Sequence, residues 1–251
     1  MKISVITATR NDVRDIQATI DSVLAQNYAE IEYIIIDGES SDGSEIIIAE
    51  AVAKHSENIK VVTLPAKGVY NALNYGISIA TGDVIGILHG NDKFTTEDIL
   101  TLVSIAMKDE SIMAVFGDVY FVNPASRKIV RRYRANNFLP ERLSTLFAPP
   151  HPTLFLRREV YEKYGNYKED YVTAADFEFI ARILGKERLK YKYIPIDMVE
   201  MTDGGMSTSL RHRLFTNPKE KYRGLKENGL SLSVPGLIKR YFSLIFSLIK
   251  I

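Results

Sequence analysis

The chain of 251 residues contains no cysteine. Disulfides, thiolate metal sites and cysteine nucleophiles are therefore excluded, and the composition suits a reducing cytosol. No stretch reaches the ~20 apolar residues that a membrane-spanning helix needs. The opening MKISVITATRND does not read as a signal peptide, because its apolar run is short and turns polar at once. No internal repeat or low-complexity tract is visible. No G-x-G-x-x-G follows the first apolar run, where TATRND stands instead, which argues against a dinucleotide-dependent oxidoreductase. Net charge is only +1, but it is unevenly spread. From Gly204 onward nine Lys or Arg face two Glu, a net +7 that leaves −6 on the first 203 residues. A basic end on an acidic body suits an anionic partner for that end, a nucleic acid or a membrane surface.

What is present is ordinary for a globular α/β protein, with 46% hydrophobic and 25% charged residues. Short β-branched runs alternate with helical periodicity: ISVIT, a helix over about 12–26, YIIID, a helix over about 44–55, IKVVTL, a helix from about Val69, then VIGILH. This order predicts a Rossmann-like, mostly parallel central sheet with helices on both faces. In such a sheet ligands bind outside the carboxyl ends of the strands. Four polar segments should meet there: 7–11, 37–44, 66–71 and 89–92. The second half reads as two strands around a loop at 123–127, a proline-rich segment, a strand and a helix, and a further helix over about 174–184. We expect one continuous domain over 1–206, with a nucleotide half (1–110), an acceptor half (111–206) and a basic tail (207–251).

Several residues in these segments have two readings. Asp37 ends the second strand, where it either binds a ligand or caps the turn DGESSDGS. Lys67 and Gly68 precede a helix, so a cation and backbone N–H groups could face phosphate. Asn91 and Asp92 close the fourth strand as a plain turn or as hard oxygen ligands for a divalent cation, and His89 adds a nitrogen that suits manganese. Thr173-x-x-Asp176 has capping-box spacing at a helix start, and a helix start is also a rigid mount for a carboxylate. The segment RKIVRRYR reads as a solvated edge strand or a contact for a phosphate-bearing acceptor.

Taken in order, ISVITATRND, IIIDGESSDGS, KGVYNALNYGISIATGDVIGILHGND, HPTLFLRREVYEKYGNYKEDYVTAADFEF and DGGMS resemble glycosyltransferase family 2, whose members have the GT-A fold. The third stretch is similar to a subgroup that builds bacterial surface polysaccharides. The resemblance implies an inverting enzyme that moves a sugar from a nucleotide-sugar donor, expected to be a UDP-sugar, to a saccharide acceptor, expected to be lipid-linked. It also implies a divalent cofactor, Mn2+ or Mg2+. Thr7, Thr9, Arg10, Asp37, Lys67, Gly68, Asn71, Asn91 and Asp92 would bind the donor. Asp92, Asn91 and His89 would hold the metal, with Asp92 the principal ligand. Asp176 would be the general base, and His151 and Glu178 would lie on the acceptor side. Because relatives carry further acids at this metal position, a catalytically weak or inactive nucleotide-sugar-binding relative is the alternative.

The end of the chain, PGLIKRYFSLIFSLIKI (235–251), has a broad apolar arc flanked by basic residues. It reads as an amphipathic C-terminal helix, lying in a membrane interface or packed on the body or on a second subunit of a homodimer. Its pattern is not that of a nucleic-acid groove. We therefore expect a cytoplasmic protein, peripheral on the inner face of the cell membrane, with no nucleic-acid partner.

Overall fold

A computed structural model describes residues 1–203 and 216–238. Its first half is the expected alternation: β1 (Ile3–Thr9), α1 (Ile16–Leu24), β2 (Ile31–Asp37), α2 (Ser44–His55), β3 (Ile59–Thr63), α3 (Val69–Ile79) and β4 (Val84–Ile87). There follow β5 (Asp92–Phe94), α4 (Ile99–Ala106), β6 (Ala114–Val122), β7 (Ile129–Tyr133), β8 (Phe155–Arg157) and α5 (Arg158–Tyr164). The chain then forms α6 (Ala175–Ile180), which winds on as a π-helical turn over Ala181–Lys186, β9 (Tyr191–Thr202) and α7 (Asn217–Glu227). One sheet runs in the order β3-β2-β1-β4-β8-β6-β9-β5, with β7 paired to β6 at its margin.

The pairings β3–β2, β2–β1, β1–β4 and β6–β9 are parallel, while β8, β5 and β7 run against their neighbours. The first strands are apolar on both sides because helices cover both faces. Ile3 and Val5 of β1, and Tyr33 and Ile35 of β2, pack with α1, α2 and α4. Their alternates Ile6 and Ala8, Ile34 and Ile36 pack with α3, α5 and α6. A Cβ on Gly76 of α3 would lie 2.6 Å from Ile6 Cγ2, so this glycine sets how closely α3 lies on β1.

The structure adds four elements to the expected order. Of α4, β5, β9 and α7, the last three bear on the site. β9 bulges at Pro195, where its register with β6 passes from Phe116↔Tyr193 to Asp118↔Asp197. Helix α7 falls in the segment read as a basic tail, yet it packs on α6: Leu225 is fully buried, and a Cβ on Gly224 would stand 3.2 Å from Glu178 Cα. The boundary drawn at 206 therefore cuts away a helix that belongs to the body. Of the amphipathic stretch 235–251, residues from 239 onward lie outside the described residues. Among the described residues no helix is long and apolar enough to cross a membrane.

Candidate active site

The carboxyl ends of β1, β2 and β4 open on one side, with Thr9 in register with Asp37. Two loops there are stitched together. Asn11 N–H donates to Ser40 Oγ at 2.9 Å, Asp12 N–H to Ser44 Oγ at 2.9 Å, Val13 N–H to Asp42 at 3.0 Å, and Ser41 N–H to Asn11 Oδ1 at 2.9 Å. Asp37 is buried and accepts the Ser40 hydroxyl at 2.6 Å and the Ser40 N–H, so it does form the turn cap. Arg10 is exposed and its stem lies against Gly38. Thr9 donates to Asp12 at 2.8 Å. Thr7 takes another course: its hydroxyl is fully buried and bonded to Tyr33 at 3.0 Å, inside the core rather than in the pocket.

Asp92 is the exception in this well-paired neighbourhood: it is 2% exposed, and neither of its carboxylate oxygens has a hydrogen-bond partner. Burial pushes its pKa up to about 7; the His151 charge opposes this, and the charges of Asp12 and Asp15 add to it. The carboxylate is held by its backbone. Thr19 of α1 donates to Asp92 O at 2.6 Å and Gly90 O at 3.0 Å, and Asp92 pairs with Met201 of β9. Gly90 lets these groups approach closely, because a Cβ would stand 2.4 Å from Thr9 Oγ1 and 2.6 Å from Asp12 Oδ2. A buried acid without donors fits a cation, which would supply what the protein withholds. Asn91 is half-buried beside it.

His89 does not join that set. Its Nε2 lies 3.2 Å from His151 Nε2. Burial, and then the His151 charge, push its pKa down to about 3, so it is a neutral ring whose Nε2 is engaged by His151. Among the described residues no three His, Asp or Glu side chains group around a cation position. The metal ligand expected at His89 thus gives way to a hydrogen bond.

From the other half come His151 and Asp176. His151 Nδ1 lies 3.1 Å from Asp176 Oδ2. Burial alone would lower the His151 pKa, but the hydrogen bond and charge of Asp176, with that of Asp92, raise it. For Asp176 burial works upward, and His151 and then Lys221 bring the net shift down. Each partner thus favours the charged form of the other. Asp176 Oδ1 is buried and unpartnered.

The helix start that carries Asp176 is not a capping box. Glu220 of α7 accepts the N–H groups of Val172, Thr173 and Ala174 at 2.8, 2.8 and 3.0 Å, and the Thr173 hydroxyl at 3.1 Å. Tyr70 of α3 accepts the Ala175 N–H at 3.1 Å. Neither Glu220 nor Tyr70 was marked by any sequence pattern. Glu178 departs from its expected acceptor side. It is fully buried, bonded to Arg182 at 2.6 Å, Lys168 at 3.1 Å and Asn228 at 3.1 Å, and it ties α6 to α7.

Lys67 and Gly68 open α3, Gly68 with φ 109°. They border a cleft lined by Pro65, Asn71, Asn74, Tyr75 and Glu169. Asn71 donates to Glu169 at 3.0 Å and Asn74 at 2.9 Å, which links the two halves across the cleft.

Residues 4–165 match the glycosyl transferase family 2 profile. A Mycobacterium tuberculosis protein named as an uncharacterized glycosyltransferase is 31% identical over 185 residues, 72% of this chain and 68% of its own. A PGL/p-HBAD biosynthesis glycosyltransferase of Mycobacterium bovis is 26% identical, over 84% of this chain and 81% of its own. Among solved structures, S. aureus TarS 1-349 with UDP superposes with a TM-score of 0.63 at 18% identity, over 80% of this chain and 60% of that one. The mannosyltransferase PcManGT from Pyrobaculum calidifontis, with GDP-Man and Mn2+, gives 0.59 at 17% identity, over 98% of this chain and 80% of that one. The curled, mostly parallel sheet is thus of the GT-A type, and the matched profile and relatives place the chain in glycosyltransferase family 2.

Proposed function

We propose that the chain is an inverting glycosyltransferase that moves a sugar from a UDP-sugar to a hydroxyl of a saccharide acceptor. The observation that carries this reading is the set of three buried, unsatisfied acidic oxygens, two on Asp92 and Oδ1 of Asp176, with His151 interacting with both residues. Asp37 and Arg10 are positioned for the base and ribose, and Lys67 with the α3 N-terminus for the phosphates. A divalent cation held by Asp92, with Asn91 beside it, would neutralise the departing diphosphate. Asp176 takes the proton of the acceptor hydroxyl as its oxygen bonds to the anomeric carbon and the bond to the diphosphate breaks. With no nucleophilic carboxylate invoked, this single displacement inverts the anomeric centre.

The acceptor we propose is a lipid-linked saccharide in bacterial surface polysaccharide assembly, met by a protein peripheral on the cytoplasmic face. The subgroup resemblance supports this, together with a relative named as a PGL/p-HBAD biosynthesis glycosyltransferase. A second reading, a nucleotide-sugar binder with weak turnover, is favoured by one observation: Asp92 alone supplies an unpaired carboxylate at the metal position.

The test is nucleoside-diphosphate release from UDP-, GDP- and dTDP-sugars with manganese, magnesium or chelator. It compares native protein with Asp92→Ala and Asp176→Ala. Metal-dependent release from a UDP-sugar, lost in both variants, is expected. Calorimetric binding without turnover, even with lipid-linked acceptors, supports the weak binder; release unchanged in both variants overturns both assignments.

A further inference from the structure

Three side chains from separate parts of the fold stand in one line. His89 follows β4, His151 lies in a short helical turn after Pro149 and Pro150, and Asp176 is in the first turn of α6. The two imidazoles meet edge-on, at 63° and 5.3 Å between ring centres, with their Nε2 atoms 3.2 Å apart. His151 spends its other nitrogen on Asp176 Oδ2 at 3.1 Å. Oδ1 of the same carboxylate has no partner.

The backbone around Asp176 is already fixed by Glu220 and Tyr70. These bonds go to the backbone rather than to the carboxylate, whose rotation about its last bond is intrinsically soft. The carboxylate also meets the Phe177 backbone and the Lys221 charge, but the His151 ring is its strongest hydrogen-bond partner and biases where the other oxygen points. His89 meets the far side of the His151 ring. The bridge also spans the two halves of the domain, since His89 belongs to the donor half and Asp176 to the acceptor half.

We propose that His151 is a positioning residue for Asp176, holding Oδ2 so that Oδ1 faces the acceptor hydroxyl, and that His89 positions His151 in turn. This rests on the reading of Asp176 as the base. It makes His89 a support for the acid–base machinery rather than a metal ligand.

Two measurements test it. The first needs no substrate: proton NMR of the full chain should show a far-downfield ring N–H from His151. That resonance should vanish in His151→Ala and in Asp176→Asn and survive in His89→Ala. The second is steady-state release from whichever panel donor turns over fastest, with water as acceptor if no saccharide is accepted. His151→Ala should lower kcat by about tenfold to a hundredfold, the scale of a misplaced catalytic group, with the donor KM within about twofold. His151→Asn, which keeps a donor near the Nδ1 position, should recover most of that loss. In an Asp176→Asn background His151→Ala should cost nothing further.

A native-like kcat in His151→Ala beside an inactive Asp176→Asn overturns this inference while the base reading stands. A fully active Asp176→Asn overturns both. Equal losses in His151→Ala and His151→Asn, matched by a common fall in thermal midpoint, mean a structural bridge only and overturn the positioning role. Absence of the downfield resonance in native protein does so too.

Discussion

Two buried acids sit toward opposite ends of the same parallel strands and are treated in opposite ways. Glu32, on β2 and paired with Ser4 at the start of β1, is 9% exposed and fully wired. It accepts Ser4 Oγ at 2.6 Å, Thr81 N–H at 2.7 Å and Thr81 Oγ1 at 2.8 Å, with Lys2 and Lys60 at 3.5 and 3.3 Å. Burial pushes its pKa up, but the Ser4 and Thr81 hydrogen bonds and the Lys2 charge outweigh that and bring it down to about 2. Asp92, past the carboxyl end of β4, is more deeply buried and has no donor. One end of the sheet spends its charge on holding strands together. The other keeps a charge unsatisfied, which costs stability and leaves a place for a ligand. Glu178 and Asp176 repeat the contrast two residues apart on one helix.

The largest expected effect separates the acids of α6. Glu178→Ala leaves Arg182 and Lys168 facing a buried hole and should destabilise the fold by about 3 kcal/mol or more in urea titration. Asp176→Ala breaks a single ion pair, to His151, and should lower the urea midpoint by clearly less while it removes turnover. A comparable loss of stability in both would erase the distinction.

Glu32→Gln comes next, at about 3 kcal/mol near neutral pH, the order set by its depressed pKa. The native contribution is present above the unfolded pKa of 4.5 and fades as pH falls toward about 2, because the unfolded chain takes up the proton first. Urea midpoints between pH 5 and 2.5 should therefore converge for native protein and variant.

Asp92 should act in the reverse direction. In metal-free protein the folded state keeps a proton that the unfolded chain releases between 3.8 and about 7, so rising pH through that window removes stability. Asp92→Asn should flatten this part of the profile and be more stable by about 2 kcal/mol at pH 8, while release falls by about a hundredfold. A destabilised Asp92→Asn would mean that the acid is structural.

The smallest effect is expected from Gly90→Ala, where the added methyl meets Thr9 and Asp12. A cost of about 1 kcal/mol or somewhat more is expected, read as a lowered thermal midpoint with weakened nucleotide binding.

The donor half was legible because its signals are local. Strands apolar on both faces and turns of Gly, Asp and Asn mark their own positions, and α2 and β4 begin at the expected residues. Helix α1 starts later than its periodicity implied, at Ile16, because Asn11, Asp12 and Val13 give their N–H groups to the 40–44 loop. What escaped was non-local. β5 is three residues long and exists only against β9, and β9 carries a proline that speaks against a strand. α7 buries only Glu220, Gly224 and Leu225, so it has no apolar stripe to detect. The acid positions Asp92 and Asp176 were readable from the resemblance; their partners Glu220, Tyr70 and Asp12 were not, because each acts through a contact that only the fold creates.

The Glu220 contacts also set an order of assembly. Chains emerge from the ribosome amino end first, and β1 to β4 can close as soon as they are made. Asp92 cannot be locked until Met201 has emerged to pair with it, and the three N–H groups ahead of Asp176 stay open until Glu220 follows. Synthesis therefore completes the four parallel-sheet strands well before it fixes the backbone around either acid.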